Sequence, residues 1–134
     1  MSRCVMDASS ALAWCFPDEQ GASPPPAFAV VVPALWALEV ANGLLAAERR
    51  GRITSATATA LIPALADGLA VEIDTEADVF RSVLPLAREY GLSVYDATYL
   101  ELALRRFLPL LTVDQRLQQA ASAAGVDVHP TLRP

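Results

Sequence analysis

Four acidic residues, far apart in the chain, carry the chemistry that this sequence suggests. Asp7 and Asp114 each follow a short apolar run that predicts a strand, and Asp96 lies at the start of a predicted helix. Ligands of open parallel sheets bind beyond the carboxyl ends of the strands, so Asp7 and Asp114 are expected at one edge. Glu39 lies within a helix, one turn before Asn42, and both side chains leave the same helix face. If that face turns toward the sheet edge, four carboxylates and an amide converge.

Carboxylates gathered at one place repel one another, and each raises the pKa of its neighbours unless a cation neutralises them. An all-oxygen set of ligands favours a hard ion, Mg²⁺ or Mn²⁺, and neither the two cysteines nor the single histidine is suitably placed for zinc. Mg²⁺ commonly binds a few carboxylates together with a phosphate. The pattern therefore indicates phosphate-ester chemistry, in which metal-activated water is the nucleophile.

Each acid also has an ordinary structural interpretation. An Asp at the start of a helix is most often an N-cap, and this is the favoured interpretation of Asp96 and Asp114 taken singly. Asp7 is open to the same interpretation, and Glu39 within a helix would normally be solvated. The spacing alone therefore does not separate a nuclease from other metal-binding α/β domains.

The predicted elements that position these acids alternate along the chain. Strands are predicted to end near residue 6 and to span 30–33, 71–73, 110–113 and 126–128, and helices to span 9–16, 35–50, 55–66, 78–89, 96–106 and 115–123. The proline-rich stretch 21–26 predicts an irregular connection. Alternating strands and helices imply a three-layer α/β/α architecture with a mostly parallel central sheet, and residues 1–134 suit a single domain of this kind.

Composition limits the remaining possibilities. Hydrophobic residues make up 54% of the chain, yet the longest apolar stretch, 27–38, is shorter than the roughly 20 residues needed to cross a bilayer. The apolar surplus indicates an interface with another chain. A charge at Asp7 argues against an N-terminal signal peptide, so a cytoplasmic location is expected, with Cys4 and Cys15 as core thiols.

The net charge of the chain does not by itself indicate a nucleic-acid ligand. The formal net charge is −5, but setting aside the four acids assigned to a metal leaves −1. All ten basic residues are arginine, and no lysine is present. Response-regulator receivers and haloacid-dehalogenase-type phosphatases, which also place an Asp after their first strand, rely on a lysine near the phosphoryl group. The phosphatases further require an Asp where Ser9 stands, so both classes are disfavoured.

Four sequence blocks surround the acids in a recognisable order. They are VMDAS at 5–9, VPALW at 32–36 followed by EVAN at 39–42, YDATYL at 95–100, and LTVDQRL at 111–117. Together they closely resemble the PIN-domain family, specifically the VapC-type toxins of toxin–antitoxin pairs. The resemblance spans nearly the whole chain.

The resemblance implies a Mg²⁺-dependent endoribonuclease that acts on RNA, forms a homodimer and is inhibited when a cognate antitoxin protein occludes its site. The positions that match the family's catalytic and metal-binding quartet are Asp7, Glu39, Asp96 and Asp114. Ser9, Asn42 and Thr112 match nearby polar positions that order the carboxylates or waters. The chain departs from the family at 17–28, which is shorter than the usual helical segment; that segment is the one thought to hold the antitoxin.

A few further residues are candidates for contact with RNA. Arg116, just past Asp114, is a candidate phosphate contact. Aromatic side chains such as Tyr95 could stack on bases, whereas Trp36 and Tyr99 are expected in the core. The lone His129 cannot supply both the acid and the base of a metal-free ribonuclease, and it is expected in the C-terminal tail. Two alternatives remain open from the sequence: a non-catalytic binding module of the same fold, and a nuclease directed to DNA or to RNA processing.

Overall fold

A computed structural model describes residues 3–16 and 29–129, in which strands and helices alternate along most of the chain. The strands are β1 (Arg3–Met6), β2 (Ala29–Pro33), β3 (Ala70–Asp74), β4 (Leu110–Leu111) and β5 (Val128–His129). The α-helices are α1 (Ala8–Cys15), α2 (Leu35–Arg49), α3 (Ser55–Ala66), α4 (Leu84–Tyr90), α5 (Val94–Arg106) and α6 (Gln115–Ala123), and a π-helical turn (Val79–Val83) leads into α4.

The strands form one sheet in the order β3-β2-β1-β4-β5, and every pair of neighbours is parallel. From β1 the chain proceeds first to one side, through β2 and β3, and then to the other side, through β4 and β5. The order therefore reverses between β1 and β4. In open α/β sheets this switch point opens a crevice at the carboxyl ends of the strands, where ligands bind.

Helices cover both faces of the sheet, which confirms the predicted three-layer α/β/α architecture. Helix α2 packs against α1 and α3, whereas α5 packs against α4 and α6. Right-handed crossovers put the two groups on opposite faces, because the chain reverses its direction across the sheet after β3. All residues from 97 to 103 of α5 are buried, so this helix is the central one on its face.

Helix α2 approaches α1 closely at Gly43. A Cβ atom at this position would lie 2.4 Å from Cδ1 of Leu12, so only glycine fits without a shift of that side chain. Gly43 lies one turn after Glu39, and the close approach holds this part of α2 beside the helix that begins after Asp7.

The structure corrects several predicted boundaries. Helix α5 begins at Val94 rather than at residue 96, because Ser93 is its N-cap and accepts a hydrogen bond from the Asp96 N–H at 3.0 Å. The last strand begins at Val128 rather than 126, because the Val126 N–H is taken by the carbonyl of Ala121 at the end of α6. His129 lies in β5, not in a tail, and its carbonyl accepts from Thr112 N–H. The predicted connection 21–26 lies outside the described residues.

The two cysteines are buried and free, as predicted, and burial raises the pKa of both thiols to about 11. Thiols with such pKa values stay protonated at neutral pH and are poor nucleophiles. No helix in the described ranges is both long and apolar enough to span a membrane.

An ion-pair network ties the end of α5 to the edge strand β3. Asp74, whose side chain is almost fully buried, accepts two hydrogen bonds from Arg105, at 2.8 and 3.1 Å, and one from Arg106 at 3.0 Å. Arg105 also contacts Glu101, and Arg106 contacts Glu72. The Arg105 hydrogen bonds hold the pKa of Asp74 well below its usual range.

We predict that Asp74→Asn lowers the free energy of unfolding at pH 7 by about 1–3 kcal/mol, because hydrogen bonds to a charged partner are weakened in a buried place. The folded-state pKa of Asp74 is depressed, so its contribution is fully present above its unfolded pKa of about 4 and is lost progressively as the pH falls from there through the folded-state pKa. Urea denaturation at pH 7 and at about pH 2 measures the difference, with the exposed Glu76→Gln as a control. A difference that does not shrink between these two pH values would contradict this role.

Candidate active site

Asp7 lies immediately beyond β1 at the switch point of the sheet. Its backbone N–H donates to the carbonyl of Leu111 at 3.1 Å, which continues the β1–β4 ladder by one step and brings Asp7 beside Thr112. Asp7 is also the N-cap of α1, and its Oδ1 accepts from the Ser10 N–H at 3.0 Å. Only 3% of the residue is exposed.

Two hydroxyl groups hold the buried carboxylate of Asp7. Ser9 Oγ lies 2.8 Å from both carboxylate oxygens, and Thr112 Oγ1 donates to Oδ2 at 2.6 Å. Burial raises the pKa of Asp7, while these hydrogen bonds and that of Ser10 oppose the rise. The predicted supporting positions Ser9 and Thr112 are therefore in direct contact with the first acid.

Thr112 also connects Asp7 to Asp114. The Thr112 Oγ1 atom accepts from the Asp114 N–H at 3.0 Å, so one hydroxyl bridges the carboxylate of one acid and the backbone of the next. Asp114 is the N-cap of α6 and accepts from the Leu117 N–H at 3.0 Å. The cap interpretation thus holds for both Asp7 and Asp114, and it does not remove either from the sheet edge.

Asp96 is not a cap; it is the third residue of α5. Its pKa is raised first by burial and then by the negative charge of Asp114, while Ser93 and the Arg116 guanidinium lower it. Because Arg116 is exposed and near enough to affect Asp96, it lies on the solvent side of the acids.

Glu39 reaches the same group from α2. The hydroxyl of Tyr99 donates to Glu39 Oε1 at 2.5 Å, which joins α5 to α2. Burial raises the pKa of Glu39, the Tyr99 hydrogen bond opposes this rise, and the charge of Asp96 adds to it. Burial raises the pKa of Tyr99 most, the contact with Glu39 raises it further, and the charge of Asp7 adds to the rise.

Hydrogen bonds and charge interactions together link six residues around the switch point into a ring. Hydrogen bonds join Asp7 to Thr112, Thr112 to Asp114, and Tyr99 to Glu39. Charge interactions link Asp114 to Asp96, Asp96 to Glu39, and Asp7 to Tyr99. In this conformation, no three His, Cys, Asp or Glu side chains of residues 3–16 and 29–129 are close enough to hold one ion together. A divalent cation would nevertheless relieve the repulsion between the carboxylates of the ring. Their all-oxygen donor set suits Mg²⁺ or Mn²⁺.

The structure differs from the sequence-based expectations for Asn42 and Tyr99. The side chain of Asn42 is exposed and makes no hydrogen bond with any residue that the structure describes, so the amide does not join the ring. Tyr99 was expected only in the core; it is buried there, and its hydroxyl also contacts Glu39. The available signal was its spacing, because Tyr99 follows Asp96 by three residues and shares its helix face.

The pKa shifts distinguish this ring from the ion-pair network around Asp74. Arginines surround Asp74 and lower its pKa, whereas the pKa values of Asp7, Glu39 and Asp96 are all raised. Arginines thus offset the charge of Asp74, whereas burial raises the pKa values of the three switch-point acids and like charge adds to the rise at Glu39 and Asp96. Carboxylates with raised pKa values are concentrated at functional sites.

Fold and site together define a three-layer α/β/α domain with acidic residues at the switch point of a parallel sheet. The PIN domain family model matches residues 5–123. Ribonuclease VapC3 of Pyrobaculum aerophilum is 31% identical over 122 residues, which cover 87% of this chain and 93% of that protein. The crystal structure of PAE2754 from the same organism superposes with a TM-score of 0.71 at 23% identity, covering 95% of this chain and 90% of that one. The chain belongs to the PIN-domain family and is of the VapC type.

We predict that Asp96→Asn, in EDTA at pH 7, raises the free energy of unfolding by less than about 1 kcal/mol, because the half-exposed charge is partly screened. The folded-state pKa of Asp96 is raised, so protonation favours the folded state, and this stability is lost as the pH rises. The advantage of the variant should therefore vanish below about pH 4.

Thermal denaturation of both proteins across this pH range measures the difference in stability. Asp127→Asn is the control, because Asp127 is exposed and lies directly before β5, at the amino end of that strand. A variant that is less stable than the unmodified chain at pH 7 would show that Asp96 is not under repulsion.

Proposed function

We propose that this chain is a Mg²⁺-dependent endoribonuclease, a single PIN-like nuclease domain that acts as the toxin of a type II toxin–antitoxin pair. It hydrolyses RNA phosphodiesters and leaves a 5′-phosphate and a 3′-hydroxyl. The observation that carries the proposal is the ring at the switch point, in which Asp7, Glu39, Asp96 and Asp114 are linked through contacts and repulsion. The ribonuclease name of the VapC3 relative supports the choice of RNA as substrate.

In this proposal the four carboxylates hold the ion, and each protein group has a limited task. Thr112 and Ser9 fix the carboxylate of Asp7 in one orientation, which lowers the cost of ordering it when the ion binds. The bound cation supplies activation of the attacking water and neutralises charge on the phosphoryl oxygens. Arg116, exposed beside Asp96, contributes positive charge for a phosphate of the RNA.

The partners follow from the same family membership and from the surface. Large apolar side chains are exposed on several elements, among them Leu38 on α2, Phe80 in the π-helical turn and Phe107 after α5. Exposed apolar side chains of this size are available for contacts with other chains. We propose a homodimer and a cognate antitoxin as those chains, acting in the cytoplasm.

We predict that the purified chain, freed of any partner, cleaves RNA with Mg²⁺ and not with EDTA, and that Asp7→Asn or Asp96→Asn lowers kcat by at least about a hundredfold. Mn²⁺ is expected to replace Mg²⁺. Sequencing of the RNA ends measures both the cut and its chemistry, and Asp127→Asn is the matched control. A 2′,3′-cyclic phosphate product, or turnover of either variant equal to that of the unmodified chain, would exclude this mechanism.

We further predict that Arg116→Gln raises KM for RNA several-fold with a smaller effect on kcat, because a phosphate contact is lost while all four carboxylates are kept. The dependence of the logarithm of affinity on the logarithm of salt concentration should become shallower by about 1. Arg88→Gln, which removes an exposed arginine on α4, controls for net charge. An unchanged salt slope would remove Arg116 from the RNA-binding surface.

A further inference from the structure

Tyr99 is a buried residue whose polar end lies among the acids. The residue is 1% exposed on α5, the most buried helix of its face, and its hydroxyl donates to Glu39 Oε1 at 2.5 Å. The hydroxyl therefore joins α5 to α2.

The contact restricts a side chain that would otherwise move freely. Glu39 is half-buried on α2, and a glutamate has three rotatable bonds whose ordering costs free energy. The aromatic ring of Tyr99 is fixed by the surrounding core, so its hydroxyl oxygen is held in one place as a donor. Of the two carboxylate oxygens of Glu39, Oε1 is engaged, and Oε2 makes no hydrogen bond within the described part of the chain.

We propose that Tyr99 is a positioning residue for the ion site: its hydroxyl fixes Oε1 of Glu39 and thereby leaves Oε2 as the oxygen that binds the cation. The inference rests on the proposed function, since it assumes that Glu39 is a metal ligand. Tyr99 itself touches neither the ion nor the RNA. Its effect passes through the orientation of one carboxylate.

The test compares Tyr99→Phe, which keeps the aromatic ring in the core and removes only the hydroxyl, with Tyr90→Phe. Tyr90 is a half-buried tyrosine at the end of α4 whose hydroxyl makes no hydrogen bond to any of the four acids. Calorimetric titration with Mn²⁺ alone, without RNA, measures affinity for the ion. We expect Mn²⁺ to bind Tyr99→Phe about tenfold more weakly, as is usual when a group that orients a ligand is removed. Tyr90→Phe should bind Mn²⁺ as the unmodified chain does.

A second arm separates orientation from stability. In Glu39→Ala, the acceptor of the hydrogen bond is absent, so adding Tyr99→Phe should cause no further loss of Mn²⁺ affinity. In cleavage assays, Tyr99→Phe should need about tenfold more Mg²⁺ for half-maximal rate, yet reach nearly the unmodified kcat when Mg²⁺ is saturating. A purely structural role for Tyr99 would lower the denaturation midpoint and leave the metal dependence unchanged.

A spectroscopic measurement avoids the tyrosine substitution, should Tyr99→Phe fail to fold. Binding of Mg²⁺ to Glu39 should alter the hydrogen bond to the phenol and produce a near-ultraviolet tyrosine difference spectrum in the unmodified chain. This signal should be absent in Glu39→Ala. A chain that binds Mg²⁺ without the signal would overturn the inference.

The outcomes distinguish this inference from the proposed function. If the unmodified chain binds Mn²⁺ and Tyr99→Phe binds it equally well, Tyr99 does not position a ligand, and the nuclease proposal is unaffected. If Tyr99→Phe weakens Mn²⁺ binding equally with and without Glu39, the hydroxyl acts elsewhere and the inference fails. If the unmodified chain neither binds Mn²⁺ nor cleaves RNA, the proposed function fails and this inference with it.

Discussion

The burial of the Asp7 carboxylate at the switch point of the sheet is the constraint on which the rest of the site depends. A charged group in that position is costly unless several donors stabilise it. The chain supplies them from three places: a main-chain N–H at the start of α1, a hydroxyl in its first turn, and the hydroxyl of Thr112 after β4. Because Thr112 also accepts from the N–H of Asp114, the pairing of β1 with β4 fixes the relation between two acids that are more than a hundred residues apart.

The two ends of α5 show how the same chain treats negative charge in opposite ways. At its C-terminal end, arginines neutralise Asp74 and its neighbours, and the network fastens the edge strand. At its N-terminal end, the charge of Asp114 acts on Asp96 and that of Asp96 on Glu39, and the positive charge of the exposed Arg116 opposes the effect at Asp96. A fold selected for stability alone gains little from the second arrangement. It becomes favourable when a divalent cation is part of the site.

The architecture and the neighbourhood of the acids were predictable from sequence, because alternation of strands and helices and the position of an acid after a strand are local signals. The Asp74 network was not, since Arg105 and Arg106 look like ordinary C-terminal helix charges until α5 is known to end beside β3. The start of α5 was missed because Ser93, not Asp96, caps it. The contact between Tyr99 and Glu39 depends on how two helices meet, and no periodicity within either one encodes it.

The most direct test of the central claim is anomalous diffraction from crystals of the unmodified chain grown with Mn²⁺. We expect one or two anomalous peaks at the carboxyl ends of β1 and β4, within coordination distance of carboxylate oxygens from Asp7, Glu39, Asp96 and Asp114. A peak confined to other carboxylates, or none at the switch point under conditions in which the protein cleaves RNA, would contradict the account.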